Sequence, residues 1–169
     1  MHLAGDDIPV FLRSFLNCYA VDILQNDGYI FNEHAVHGPP DKIYEEAAFL
    51  ERFRNMLVME DGQNLWLARA TPRVWLEQGK KISVKNAPTH FGPVDYEIVS
   101  DVDHGKITAT VKLPARNSAK AVWLRLRHPK SAPIQSVRVN GKDWRDFDPA
   151  KEVVKLHDQK DIVTVEIKY

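Results

Sequence analysis

The chain has 169 residues, of which 44% are hydrophobic and 27% are charged, a composition typical of a globular domain rather than of a disordered segment. Lysine plus arginine and aspartate plus glutamate both number 23, so the formal net charge is zero. This balance argues against a broad basic surface for nucleic acid or for membrane lipid. No run approaches the ~20 apolar residues that a membrane-spanning helix needs. We therefore expect neither nucleic acid nor a membrane as a partner.

The first 24 residues predict a helix rather than an export signal. The opening MHLAGDDIPVFLRSF places an acidic pair before the apolar stretch and has no basic segment, so it is not a secretory signal. Apolar residues then recur every three or four positions from Ile8 to Leu24, with Asp6 or Asp7 as the cap and QNDG as the end. Cys18, the single cysteine, lies in this pattern, and we interpret it as a buried structural thiol.

A polar segment, FNEHAVHGPPDK, follows this helix at residues 31–42. Glu33 and His34 could contact sugar hydroxyls, because a carboxylate accepts hydrogen bonds and an imidazole both accepts and donates them. The alternative is a hydrogen-bonded connector that caps the next helix. His34 and His37 are three residues apart without an HExxH motif, so the segment does not predict a metal site.

A second helix is predicted after GPP, with Asp41, Glu45 and Glu46 placing negative charge near its N-terminus. Its predicted apolar face consists of Ile43, Tyr44, Ala47, Leu50, Phe53 and Met56 or Leu57. The two helices form a predicted αα-hairpin over residues 1–57. Nine apolar positions on the first helix exceed what one partner helix can cover, and each buried large side chain contributes roughly 1.5–3 kcal/mol. The remaining face must pack on the following domain, on a second copy of the chain or on further helices.

After about Asn55 the apolar period changes to two, which predicts a β-domain over residues 58–169. About eight to nine short strands alternate their faces between turn residues, and Asn140-Gly141 is the preferred pair for a type I′ hairpin turn. No helix of crossover length separates the strands, which argues against a parallel sheet. The predicted fold is thus mainly β: an antiparallel β-sandwich packed on the two N-terminal helices.

Three tryptophans raise the question of sugar binding. Trp75, in TPRVWLEQG, lies in a stretch that could form one helical turn. It could stack on a sugar ring or fill the junction between sandwich and helices, and we favour the second interpretation. Trp66 and Trp123 each alternate with apolar neighbours, as expected where a sheet meets helices. By sequence alone these aromatics do not form a carbohydrate-binding stripe.

Several motifs resemble one known group of proteins: FRNML leading into LWLA, then TPRVWL with GKKI, APTHFGPVDYEI, and LRLRHP with SVRVNG. The chain resembles the C-terminal region of large bacterial proteins of the six-hairpin glycosidase superfamily, in which an (α/α)6 toroid precedes a β-sandwich. The resemblance implies that residues 1–57 are a remnant of the toroid and that the context is carbohydrate processing. It also implies a parent that is often periplasmic or secreted.

The resemblance also limits the expected activity. A full toroid needs twelve helices, and this sequence offers two. The paired carboxylates of an inverting glycosidase usually come from several inter-helix loops, most of which would lie upstream of Met1. We therefore expect a structural or accessory module of a glycoside hydrolase-like protein that is not catalytic by itself, with Glu33, His34 and Trp75 as candidate substrate-binding residues.

Two alternatives remain. A partner chain could supply the missing helices and complete an active hydrolase, or the chain could be a stand-alone carbohydrate-binding module. The latter predicts at least two coplanar exposed aromatics on one sandwich face. The expected protein partner is a second copy or a separate toroid chain, bound through the helical face. No GxGxxG, GxxxxGK[ST], GxSxG or CxxC motif is present, so no cofactor is expected.

Overall fold

The chain divides into two compact units, residues 1–56 and 57–169. The computed structural model describes residues 2–24, 43–114 and 118–169. Its described residues form two helices in the first unit, α1 (Ile8–Leu24) and α2 (Ile43–Leu57), the second of which ends at the unit boundary. Neither of these helices is long and apolar enough to cross a membrane.

An aromatic cluster joins the two helices. The Phe49 ring on α2 lies 5.6 Å from the Phe15 ring and 5.0 Å from the Tyr19 ring of α1, measured between centroids. The Arg52 guanidinium donates a hydrogen bond to the Tyr19 hydroxyl. Burial raises the pKa of Tyr19, although the Arg52 contact acts in the opposite direction. At the start of α1, Asp7 accepts a hydrogen bond from the Val10 backbone nitrogen at 3.4 Å, which confirms Asp7 as the cap.

The predicted apolar face of α2 is wrong in its first two turns. Ile43, Tyr44 and Leu50 are 77%, 49% and 65% exposed, whereas Phe49, which was not part of the predicted face, contacts α1. Apolar residues occupy two adjacent sides of α2, and the aromatic side packs on α1 because its rings bury more surface and stack. The other side remains an exposed apolar stripe.

Cys18 is exposed, contrary to the prediction of a buried thiol. Over residues 8–20 of α1, the buried residues are Ile8, Phe11, Phe15 and Tyr19, spaced three or four positions apart. Cys18 precedes Tyr19 by one residue and is therefore turned about 100° around the helix from that face. The apolar pattern on α1 is wider than the face that this chain buries.

The second unit contains two β-sheets. Sheet A has five strands in the order β1-β2-β6-β10-β9, and sheet B has six in the order β3-β4-β5-β11-β7-β8. The strands are β1 (Val58–Asp61), β2 (Asn64–Leu67), β3 (Lys81–Ala87), β4 (Val94–Asp101), β5 (Lys106–Lys112), β6 (Ala121–Arg125), β7 (Ser136–Val139), β8 (Lys142–Trp144), β9 (Phe147–Asp148), β10 (Val153–Leu156) and β11 (Ile162–Lys168).

Both sheets contribute alternate residues to one hydrophobic core, an arrangement consistent with a β-sandwich. Leu65 and Leu124 represent sheet A in this core, and Ile98 and Val165 represent sheet B. The described residues form eleven strands instead of about nine, because β8 and β9, of three and two residues, add to the predicted set. The structure thus confirms a mainly β fold with two helices.

The β7–β8 hairpin confirms the turn predicted at Asn140-Gly141. Val139 pairs with Lys142, which leaves a two-residue loop. Asn140 has a φ of +50° and Gly141 a φ of +76°, the left-handed values that a type I′ turn requires at both positions.

Sheet A is not purely antiparallel, which corrects the predicted topology. Strands β2 and β6 run parallel, with Leu65 opposite Val122 and Leu67 opposite Leu124. The prediction excluded parallel pairing because no crossover helix is present. The connection between these strands instead passes through β3, β4 and β5 of sheet B, so the opposite sheet serves as the crossover.

Candidate functional site

The three predicted substrate-binding residues are not brought together among the described residues. Glu33 and His34 lie outside those residues. Trp75 lies in a short 3-10 helix, Arg73–Leu76, which confirms the predicted helical turn. Its side chain is half-buried and packs against the core of the β-unit. Contact of Trp75 with a sugar stays a prediction.

A buried ionic clamp fixes the start of the Trp75 turn. Arg73 donates from Nη1 to Glu152 Oε1 at 2.8 Å and from Nη2 to Glu152 Oε2 at 2.6 Å. The His128 backbone nitrogen donates to Glu152 Oε1 at 2.8 Å. Glu152 is held at a φ of +56°, a conformation that residues other than glycine rarely adopt. Within residues 43–114 and 118–169, Glu152 is the sole buried carboxylate, and both of its oxygens are engaged.

Two buried arginines extend this clamp along β6. Arg125 donates from Nη1 to the Arg69 carbonyl at 2.9 Å, and Arg127 donates from Nη1 to the Thr71 carbonyl at 3.2 Å. These guanidinium groups attach the irregular segment before the Trp75 turn to the end of sheet A. The arginines therefore satisfy backbone carbonyls that no strand partner could reach.

The outer face of sheet A carries a stacked pair of tryptophans. Trp66 on β2 and Trp123 on β6 lie opposite each other, with ring centroids 5.3 Å apart and planes 14° from parallel. The Arg69 guanidinium lies 4.4 Å from the Trp66 centroid, and the Lys155 ammonium lies 5.4 Å from the Trp123 centroid. Arg69 also contacts Asp61 of β1, which places it on the side of Trp66 away from Trp123. The Arg125 guanidinium also lies 5.5 Å from the Trp66 centroid, so the rings are stacked among three cations rather than coplanar.

The outer face of sheet B carries a groove of about 430 Å³. Its lining residues are Ser83, Val84, Lys85, Asp95, Tyr96, Glu97, Thr110, Lys112 and Ile162. They come from four neighbouring strands, β3, β4, β5 and β11, so the sheet itself forms the base of the groove. A volume of this size lies in the range of small-molecule sites.

The strand register explains the depth of this groove. One cross-strand row consists of Ser83, Glu97, Thr110 and Thr164, and short hydroxyl side chains stand at three of its four positions. The next row on the same face consists of Asp95, Lys112 and Ile162. The longer Lys112 and Ile162 side chains rise beside the short hydroxyls, which leaves a depression between them.

A β-bulge shapes one end of the groove. The β3–β4 register shifts between Val84 and Ala87, and Asn86 has a φ of +50°. The Asn86 nitrogen donates to Asp95 Oδ1 at 2.5 Å instead of to the ladder. Bulges bend a strand and redirect its side chains, and they are common beside functional sites.

Two histidines outside the groove have shifted pKa values. Burial lowers the pKa of His128, whose Nδ1 accepts hydrogen bonds from the backbone nitrogens of Lys130 and Ala132. His104 Nδ1 lies 2.6 Å from Asp101 Oδ1, and this hydrogen bond raises the pKa of His104. The same contact lowers the pKa of Asp101.

In the part of the chain that the structure describes, no three His, Cys, Asp or Glu side chains converge in a way that could hold a metal ion.

Sequence reasoning missed the groove on sheet B. The alternation of β3, β4 and β5 already places Ser83, Glu97 and Thr110 on the outer face. The signal that these residues share one row is the strand register, and that depends on hairpin geometry and on the bulge.

No protein-family model matches the chain, and no curated protein matches it. Among solved structures, the chain is similar to a cycloalternan-forming enzyme from Listeria monocytogenes in complex with a pentasaccharide substrate, at 14% identity and a TM-score of 0.42 over 62% of this chain. It is also similar to a glycoside hydrolase, at 11% identity and a TM-score of 0.43 over 85% of this chain. The chain spans 10% and 26% of those two structures.

Proposed function

We propose that this chain is a non-catalytic accessory module of a carbohydrate-processing protein. The carbohydrate context comes from the motifs that resemble the six-hairpin glycosidase superfamily, APTHFGPVDYEI above all. The accessory role is supported by the way in which the β-unit uses its buried charges. Those charges hold chain segments together.

The Glu152 clamp is the observation that carries the accessory role. Glycoside hydrolysis needs a carboxyl group that protonates the leaving oxygen and a second carboxylate facing it across the sugar. Glu152 accepts hydrogen bonds on both oxygens from Arg73 and a further one from the His128 nitrogen. Such a carboxylate acts as an anchor, because a substrate would have to displace a bidentate guanidinium to reach it.

Hydrolysis assays on the purified chain test this proposal. The chain is incubated with a panel of plant and host glycans, and newly formed reducing ends are measured over time. We expect no turnover. Turnover that Glu33→Gln abolishes would overturn the proposal and identify residues 31–42 as a catalytic loop. The Glu46→Gln variant, on α2, serves as the matched control.

We propose further that the chain associates through its helical face, either with a second copy or with a separate chain that carries the remaining toroid helices. Ile43, Tyr44 and Leu50 on α2 and Leu16 on α1 are large apolar side chains left exposed. Exposed stripes of this kind are typical of interaction surfaces. The second arrangement corresponds to the alternative function, an active hydrolase completed by a partner.

Sedimentation over a concentration series tests association with a second copy. We expect the mean mass to rise with concentration and Leu50→Glu to keep the chain monomeric. Val74→Glu, at a comparably exposed apolar residue of the β-unit, should leave association unchanged. A wild-type monomer at every concentration would exclude the homodimer. Co-purification with a helical chain from the neighbouring reading frame, lost in Leu50→Glu, would then support the toroid partner.

A further inference from the structure

We propose that the groove on the outer face of sheet B binds a neutral saccharide of one or two sugar units. This inference rests on the proposed function for its carbohydrate context, and it adds a ligand and a site to it. The side chains of the groove, their charges and its ordered base all favour a neutral saccharide.

The charges of the groove favour a neutral ligand. Its lining contains two lysines, Lys85 and Lys112, and two acids, Asp95 and Glu97, so the formal charge of the lining is zero. The distance from Lys112 Nζ to Asp95 Oδ2 is 3.6 Å, and that from Lys81 Nζ to Glu97 Oε2 is 2.5 Å. Both acids therefore already have cationic partners. A cationic ligand would have to compete with these lysines for the acids, whereas a neutral ligand would not.

The polar groups match the hydrogen bonding of a polyol. Every sugar hydroxyl can donate one hydrogen bond and accept others. Ser83 and Thr110 offer hydroxyls of the same dual capacity at the base of the groove. Asp95 and Glu97 add acceptors, and Lys112 adds a donor. A ligand with hydroxyls at several adjacent carbons can use this mixture, and an apolar ligand cannot.

Ile162 supplies the apolar contact that sugar rings also need. Its side chain is 61% exposed at the edge of the groove. The other outward-facing residues of β11 are Thr164, Glu166 and Lys168, all polar, so Ile162 departs from the pattern of its own strand. An aliphatic group beside a row of hydroxyls can pack on the C–H face of a ring while the hydroxyls bind its rim.

The base of the groove is rigid before a ligand arrives. Asp95 accepts a hydrogen bond from the Asn86 nitrogen at 2.5 Å, and Glu97 forms an exposed ion pair with Lys81. Tyr96 and Ile98, which alternate with these acids on β4, are buried in the core. A site that is already ordered loses little entropy on binding, which matters for a shallow groove with few contacts.

The tryptophans of sheet A are the obvious competing site, and their geometry argues against it. A sugar stacks on an open ring face. Trp66 lies between Arg69 and Trp123, and Trp123 also has Lys155 near its ring. The faces of these two rings are therefore occupied by neighbouring side chains of the same sheet.

The test is an NMR titration of the isotope-labelled full chain with neutral trisaccharides, maltotriose, cellotriose and xylotriose, in parallel with inorganic phosphate. We expect saturable shifts of backbone amides in β3, β4 and β5 with at least one trisaccharide and none with phosphate. Thr110→Val should weaken that binding about threefold to tenfold, the loss of one neutral hydrogen bond. Thr108→Val, on the same strand and the same outer face but outside the groove, should leave it unchanged.

Three outcomes would overturn the inference: no saturable shift with any trisaccharide, shifts confined to the Trp66 and Trp123 region, or equal weakening by Thr108→Val and Thr110→Val. Stronger shifts with phosphate would overturn the neutral ligand class. The hydrolysis assay and this titration test the two proposals separately. Turnover would refute the accessory role even if the groove binds, and a silent groove would leave that role intact.

Discussion

The two sheets bury similar inner faces, yet their outer faces are built in different ways. On sheet A, the outer side holds the stacked Trp66 and Trp123 rings and the buried Arg125 guanidinium. On sheet B, the outer side holds short hydroxyl side chains and exposed ion pairs such as Lys81–Glu97. The aromatic face is filled by its own side chains, and the polar face leaves a groove.

The difference shows that aromatic content alone is a poor guide to a ligand surface. A tryptophan binds a sugar only if one of its faces is open, and stacking between strands uses those faces for stability. Short side chains flanked by long ones create a concave surface without any aromatic ring. We therefore expect substitutions on the outer side of sheet A to lower stability, and substitutions in the groove of sheet B to lower binding.

The largest stability effect should come from the Glu152 clamp at the end of sheet A. Glu152→Gln leaves the Arg73 guanidinium with only neutral acceptors, the new amide oxygen and the His128 carbonyl, in a largely buried site where the side chains are 28% and 8% exposed. Removing one member of a fully buried pair costs about 3–5 kcal/mol, so we expect about 2 kcal/mol here, because Arg73 is partly solvated. Urea unfolding followed by tryptophan fluorescence measures this, since all four tryptophans lie in the β-unit.

The matched control for the clamp is Glu97→Gln on sheet B. Its partner pair is exposed, with side chains 52% and 43% accessible, so the free energy of unfolding should change by less than about 0.5 kcal/mol. If Glu152→Gln and Glu97→Gln lower the free energy of unfolding equally, the distinction between a structural face and a binding face is lost.

The second effect concerns the tryptophan pair. Trp123→Ala removes a half-buried ring together with its contacts to Trp66 and Lys155, which should lower the free energy of unfolding by about 1.5 kcal/mol. A double-mutant cycle with Trp66→Ala should give a coupling of about 1 kcal/mol. Thr110→Val should cost under about 0.5 kcal/mol, as an exposed substitution on sheet B.

The comparison would be reversed by one result in particular. If Trp123→Ala leaves stability unchanged and abolishes trisaccharide binding, sheet A is the ligand surface and its rings open in solution.

Local features of this fold could be predicted from the sequence wherever one signal decided the outcome. The helix from Ile8 to Leu24 and its Asp7 cap follow from period and cap chemistry. The Asn140-Gly141 turn follows from the φ values that those two residues tolerate. The 3-10 turn at Arg73–Leu76 follows from the interruption of the strand pattern.

Features that depend on distant partners could not be predicted. α2 offers two apolar sides, and only the position of Phe15 and Tyr19 on α1 selects the Phe49 side. The parallel β2–β6 pair requires three intervening strands to lie in the other sheet. The groove depends on which short side chains share a cross-strand row. Each of these outcomes is decided by tertiary packing rather than by local propensity.

The smallest expected effect is a difference in pH response between the two sheets. Burial lowers the pKa of His128, at the end of β6, below its ordinary value of 6.5. The unfolded chain then binds this proton more readily, so stability is complete above pH 6.5 and falls as the pH drops towards the lower folded value. The hydrogen bond to Asp101 raises the pKa of His104, which follows β4. The stabilisation by His104 is therefore present below pH 6.5 and is lost as the pH rises through the folded value.

Thermal unfolding between pH 5 and 8 tests both signs. The stability of His128→Asn should fall less at acid pH than that of the wild type, and its amide oxygen can still accept from the Lys130 nitrogen. His104→Asn should remove a contribution of the opposite sign, and parallel pH profiles for the two variants would contradict the assignment of a half-buried, neutral imidazole to His128.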